Sequence, residues 1–182
     1  MRVRWDLLFA DLAAQLDAAE AAEGAQTIAE LTRAEQATIL LSDRLRAAAG
    51  GALLDLHLVD GHGLAAEVRD VAPEWVLLAE RSRRHVVPLT AIASISGLTR
   101  HAVAPASRAE AGRSLGAALR ALMRDRAPVR VRTRSGQVDG MIARVGRDHL
   151  DLEGLRREQG PGRADRTGRL VPFSALVCVS ES

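Results

Sequence analysis

PVRVRTRSGQVDGMIARV, residues 128–145, alternates Val129, Val131 and Thr133 with Arg130, Arg132 and Arg134. A period of two suits a strand with one buried face, because successive side chains leave a pleated backbone on opposite sides. Ser135-Gly136 supplies a turn and residues 138–145 a returning strand, so the stretch predicts a hairpin with valines inside and arginines outside. Upstream, Leu54, Leu56 and Leu58 alternate with Asp55 and His57, and Asp60-Gly61 then leads into a second run ending at Val71. The hairpin occurs twice.

The repetition extends beyond the hairpins. Leu41, Leu45 and Arg46 return 74 residues later as Leu115, Leu119 and Arg120, Val71 returns as Val145, and Gly61 as Gly136 after 75. VPLTAI at 87–92 returns as VPFSAL at 171–176, displaced by 84 because a basic insertion, 156–169, intervenes. An internal repeat of one helix and five strands follows. In the first copy the strands are expected at 52–59, 64–71, 75–80, 85–89 and 91–95, close enough together for a small, strongly bent barrel.

Ahead of the repeat, Trp5, Leu8, Phe9, Leu12 and Leu16 lie at helical spacing and predict a helix over 5–23, which Gly24 stops. Thr27 and Glu30 have capping-box spacing for a second helix reaching about residue 49. Leu31, Ala34, Thr38, Leu41, Leu45 and Ala48 would form its packing seam, turned either onto the first helix or onto another chain. The expected organisation is therefore α+β: a helical hairpin (1–49), a first barrel (50–98), a linker (99–112), then a helix and a second, basic barrel (113–182).

A short helix followed by five bent strands resembles the Sm-like fold of the Sm, LSm and Hfq RNA-binding proteins, within the wider class of SH3-like small barrels. The likeness is carried by Val59-Asp60-Gly61 and Arg134-Ser135-Gly136 at the first turns, by 75–78 and 149–152 as third strands, and by AIASI at 91–95 as a closing strand. It covers about 41–98 and 115–180 and implies a fold. The uridine-binding residues of those families are not matched: the chain has no Asn, and the Lys-His pair of Hfq aligns with Leu89-Thr90 and Phe173-Ser174.

The net charge of +2 conceals a polarity, since residues 51–98 hold 4 Arg against 6 acids whereas 99–182 hold 16 Arg against 9. An acidic partner for the second half is implied, and a row of guanidinium groups suits phosphates read without sequence specificity. The candidate nucleic-acid contacts are Arg124, Arg126, Arg130, Arg132, Arg134, Arg144, Arg156, Arg157, Arg163, Arg166 and Arg169. The competing reading is an ordinary solvated face, paired with Asp125, Asp139, Asp148 and Asp151. Trp5, Phe9, Trp75 and Phe173 are the only aromatics, too few for a base-stacking platform.

Chemistry beyond binding finds little support. His57, His62, His85, His101 and His149 lack metal-ligand spacing, although His149 and Asp151 share a strand face. Cys178, the only cysteine, sits among apolar neighbours as a barrel residue and allows no internal disulfide. No serine has a visible base and acid, so neither a catalytic site nor a cofactor is expected. No apolar run of roughly eighteen residues exists, and acids interrupt the first twelve positions, so a cytoplasmic, non-membrane protein is expected. Two functions follow: a non-catalytic RNA- or DNA-associated regulator or chaperone, or a protein-interaction scaffold that self-associates through barrel edges or the N-terminal hairpin.

Overall fold

The computed structural model describes residues 36–154 and 168–182, together with Gln15, Gln26, Glu30, Arg33 and Ala34. It divides into two compact units, 1–39 and 40–182. The second unit runs α1 (Leu41–Ala47), β1 (Leu53–Leu58), β2 (Gly63–Val71), β3 (Trp75–Glu80), β4 (Arg83–Pro88), a 3-10 turn (Leu89–Ala91) and β5 (Ile92–Ser96). After α2 (Arg108–Ala111) come α3 (Leu115–Asp125), β6 (Val129–Thr133), β7 (Gly136–Val145), β8 (His149–Gly154), β9 (Arg169–Pro172), a 3-10 turn (Phe173–Ala175) and β10 (Leu176–Glu181). Helix, four strands, 3-10 turn and fifth strand thus occur twice in the same order. Even an irregularity recurs, for β2 bulges between Val68 and Asp70 and β7 between Ile142 and Arg144.

Two separate five-stranded barrels are not what forms. All ten strands join one open antiparallel sheet in the order β5-β1-β2-β3-β4-β10-β6-β7-β8-β9. The decisive pairing is β4 with β10, Val86 opposite Val179 and His85 opposite Ser180, which runs the first half directly into the second. Its cause lies in two apolar runs that do not alternate. Val86 and Val87 are both buried, and so are Leu176, Val177, Cys178 and Val179. A strand with apolar residues on both faces needs cover on both.

The two cores provide that cover. Leu54, Leu56, Leu58, Val68, Leu78 and Val87 gather with Val177 and Cys178 in one cluster. Trp75, Val86, Leu119, Val131, Leu150 and Leu152 gather with Leu176 and Val179 in the other. Because neighbouring side chains of β4 and β10 enter different clusters, the cores lie on opposite faces of these central strands.

The helical hairpin over 1–49 also needs correcting. The helix containing Arg33, Ala34, Gln36 and Ala37 gives way to a turn at Thr38, and Leu40 is extended before α1 begins. Consecutive β-branched residues, Thr38 and Ile39, are poor helix formers. Leu31 of the expected seam lies outside the described residues, and Thr38 falls in the turn ahead of α1; α1, α2 and α3 are the helices delimited among the described residues. The helix expected at 5–23 lies outside those residues apart from Gln15. No helix among the described residues is long and apolar enough to cross a membrane.

α3 begins at Ser114, whose hydroxyl accepts the Ala117 N–H at 3.2 Å, and it ends at Arg126 in the left-handed conformation. Its buried Leu115 and Leu119 pack in the second core with Leu122 and Met123. Trp75 fills the same core, with the Arg113 guanidinium 5.5 Å above its ring.

Candidate interaction surfaces

The arginine row of β6 faces away from the second core, as alternation requires, but two of its members are engaged. Arg130 makes two bonds to Asp139, Nε to Oδ1 at 2.7 Å and Nη2 to Oδ2 at 3.1 Å, because β7 places Asp139 directly opposite. That carboxylate raises the guanidinium pKa further. Arg132 reaches Asp60 of the first half at 3.3 Å and Gln137 at 3.4 Å. Arg134 is exposed at the turn, its backbone N–H bonded to the Ala175 carbonyl.

The remaining candidates do not converge on that row. Arg124 and Arg126 are exposed at the end of α3, Arg144 is exposed opposite Asp151, and Arg169 is exposed on β9. Arg156, Arg157, Arg163 and Arg166 lie outside the described residues. A second basic group, overlooked in sequence, lies at the β3–β4 hairpin. Arg69, Arg81, Arg83 and Arg84 line an open depression of about 530 Å³ with Leu77, Ala79 and Ser82. Arg69 pairs with Glu67 at 2.7 Å, whereas the guanidinium groups of the other three bond no described residue. Arg81, Arg83 and Arg84 belong to one short run, RSRR at 81–84, in the less basic half, and the pairing of β2 with β3 adds Arg69 to them.

The sheet also ends in two edges. Among the described residues no strand pairs with the outer side of β5 or of β9. By the repeat, β9 is the counterpart of β4, and β5 is the counterpart of β10. Leu170 corresponds to Val86, yet Leu170 is 57% exposed and Val86 only 5%. Exposed apolar residues on an edge strand are a pairing template.

At the β4–β10 joint the Ser180 hydroxyl lies 2.8 Å from His85 Nδ1 and 3.4 Å from Cys178 Sγ. The buried His85 Nε2 has no hydrogen-bond partner, and the nearest carboxylate, Glu80, is 3.9 Å away. Burial lowers the His85 pKa and pushes that of Cys178 up to about 11. A neutral imidazole beside a protonated thiol makes a packed joint, not an activated nucleophile. His149 bonds Asp148 at 2.8 Å through Nδ1. No group of three or more metal-ligating side chains occurs among the described residues. No family model matches this chain, and no curated protein is significantly similar to it.

Proposed function

We propose that this chain is a non-catalytic scaffold whose copies join edge to edge, β9 of one against β5 of the next. The observation carrying this reading is Leu170, which is solvent-exposed where its repeat counterpart Val86 is sealed by β10. Transferring the internal register sets Leu170 opposite Ile95 and Arg169 opposite Ser96. Asp55 is the partner of Ser96 on β1, so Arg169 would face an acid across one strand. The corresponding internal row, His85–Ser180–Arg130, holds no acid. Head-to-tail joining also brings the basic second half against the acidic first. Such contacts close into a ring or continue as a filament, according to the rotation between copies. Light scattering across a concentration series tests the idea: the parent associates and Leu170→Asp does not. A parent that stays monomeric at high micromolar concentration rules it out.

A second reading, association with RNA or DNA, has support from the unpaired Arg81, Arg83 and Arg84 and from the exposed Arg124, Arg126, Arg134 and Arg144. Fluorescence anisotropy with mixed oligonucleotides at low salt checks it. Changing Arg81, Arg83 and Arg84 to Glu should weaken binding more than changing Arg130 and Arg132, whose charges are already matched. The reverse order, or no binding, removes this reading.

A further inference from the structure

The linker between the halves, which carries the short helix α2, lies along the first half as a strap. Arg44 donates to the Leu98 and Thr99 carbonyls at 3.3 and 2.8 Å. Arg46 donates to the Val103 carbonyl at 2.8 Å and pairs with Glu110 at 3.2 Å. Further along, Arg113 pairs with Asp70, donates to the Val71 carbonyl at 2.8 Å and covers Trp75. The strap ends where the Leu115 N–H meets Glu74 at 2.9 Å. Helix α1 and the β2–β3 turn together form its bed.

The second half repeats this bed and leaves it uncovered by any described residue. Its counterparts are Arg120 for Arg46, Arg144 for Asp70, Val145 for Val71, Asp148 for Glu74 and His149 for Trp75. Here Arg120, Arg147, Gly116, Val145 and Phe173 line an open cavity of about 950 Å³, together with Asp148 and with Glu74 of the first half, which the Leu115 N–H already engages. Gly116 lies against the Arg120 guanidinium and the Phe173 ring, and a Cβ there would make ordinary contacts of 3.4–3.6 Å with both. Arg120 bonds no described residue, whereas its twin Arg46 is fully engaged. The charge also shifts: where Asp70 receives an arginine, the second half presents the exposed Arg144 beside the cavity, and Arg147 follows in the turn next to Asp148, which is held by His149.

We infer that this groove binds an acidic peptide of a partner protein, lying on the second half as the linker lies on the first. One carboxylate pairs with Arg120, as Glu110 does with Arg46. Another meets Arg144 and Arg147 at the place that Arg113 occupies in the first half, while apolar side chains cover Phe173 and Val145. The inference does not depend on edge-to-edge assembly, because neither β5 nor the outer edge of β9 takes part.

Two fluorescent peptides test it on the full chain: residues 102–115 of the linker, and the same peptide with Arg113→Glu. The charge-inverted peptide should bind roughly tenfold more tightly than the native one, since it exchanges repulsion for pairing. Arg120→Glu or Arg144→Glu should remove this preference. Both positions are exposed, so circular dichroism should show the fold of each variant intact. Absence of binding by either peptide, equal binding of both, or unchanged binding by folded variants would each overturn the inference. Reading the complex by light scattering also separates an outside peptide from a second copy: saturation without a change in chain stoichiometry supports the former, and peptide-driven association alone counts against it.

Discussion

The two halves share one plan, and their cores lie on opposite faces of the central strands β4 and β10. The first, residues 41–98, builds its core under β1 and β2 and is strapped by the linker. The second, residues 115–182, builds its core against α3 and leaves the corresponding bed open. They differ most where the shared plan places no buried residue: Asp55, His57 and Val59 in one stand where Arg130, Arg132 and Arg134 stand in the other. Burial preserved the leucines and valines that define the repeat, while exposed positions diverged in charge. Duplication yields a scaffold, and divergence at its surface gives the copies different partners.

Identical substitutions at twin positions give the largest expected contrast. Val86→Asp places an unpaired carboxylate between β4 and β10 and should cost about 4 kcal/mol or more, enough to disrupt the joint. Leu170→Asp, on the open edge, should change chain stability by less than about 0.5 kcal/mol. Urea denaturation compares them, and similar losses would mean that β9 is covered as β4 is.

A methyl group sharpens the comparison next. Gly140 aligns with Ala66, which is fully buried in the first half. A Cβ at Gly140 would lie 2.5 Å from the Glu153 carbonyl oxygen, so β7 and β8 approach more closely than their twins. Gly140→Ala should therefore destabilise by about 2 kcal/mol through backbone displacement. Thermal melting checks this, and an unchanged melting temperature would show that the two hairpins are packed alike.

The smallest effect concerns the joint and is confined to acid. Burial holds the His85 pKa below its ordinary 6.5, with Glu80, Glu181, Arg83 and His62 acting in both directions around it. The unfolded chain then takes up a proton that the folded one refuses, so this contribution is complete above pH 6.5 and is lost as pH falls below that value. His85→Gln, which retains a hydrogen bond to Ser180, should reduce the slope of stability against pH in that window. An unaltered slope would assign the dependence to other groups.

Much of the element order was legible in advance. Alternation at Leu54–Leu58 and Val129–Thr133 marks β1 and β6, and the VPLTAI and VPFSAL segments mark the twin 3-10 turns before β5 and β10. The closed barrels were a misreading with a definite source. The Val86-Val87 and Leu176–Val179 runs do not alternate, and on that ground signal strands buried on both faces. Sequence shows the charge of Arg130 and Arg132 but not Asp139 and Asp60 across the strands, which pair with them. The cluster at the β3–β4 hairpin is legible in part, since RSRR at 81–84 is a basic run, whereas only the pairing of β2 with β3 adds Arg69 to it.

By itself, then, the sequence determined the local elements, the repeat and the uneven distribution of charge, since periodicity, turn residues and composition act over a few neighbours. Only the tertiary structure decided which strand edges meet. β4 and β10 are separated by some 90 residues, and their pairing follows from burying both faces of two apolar strands at once. That pairing made one sheet of two copies, placed Arg132 on Asp60, left Leu170 in water, and laid the linker on one half while leaving its counterpart groove uncovered.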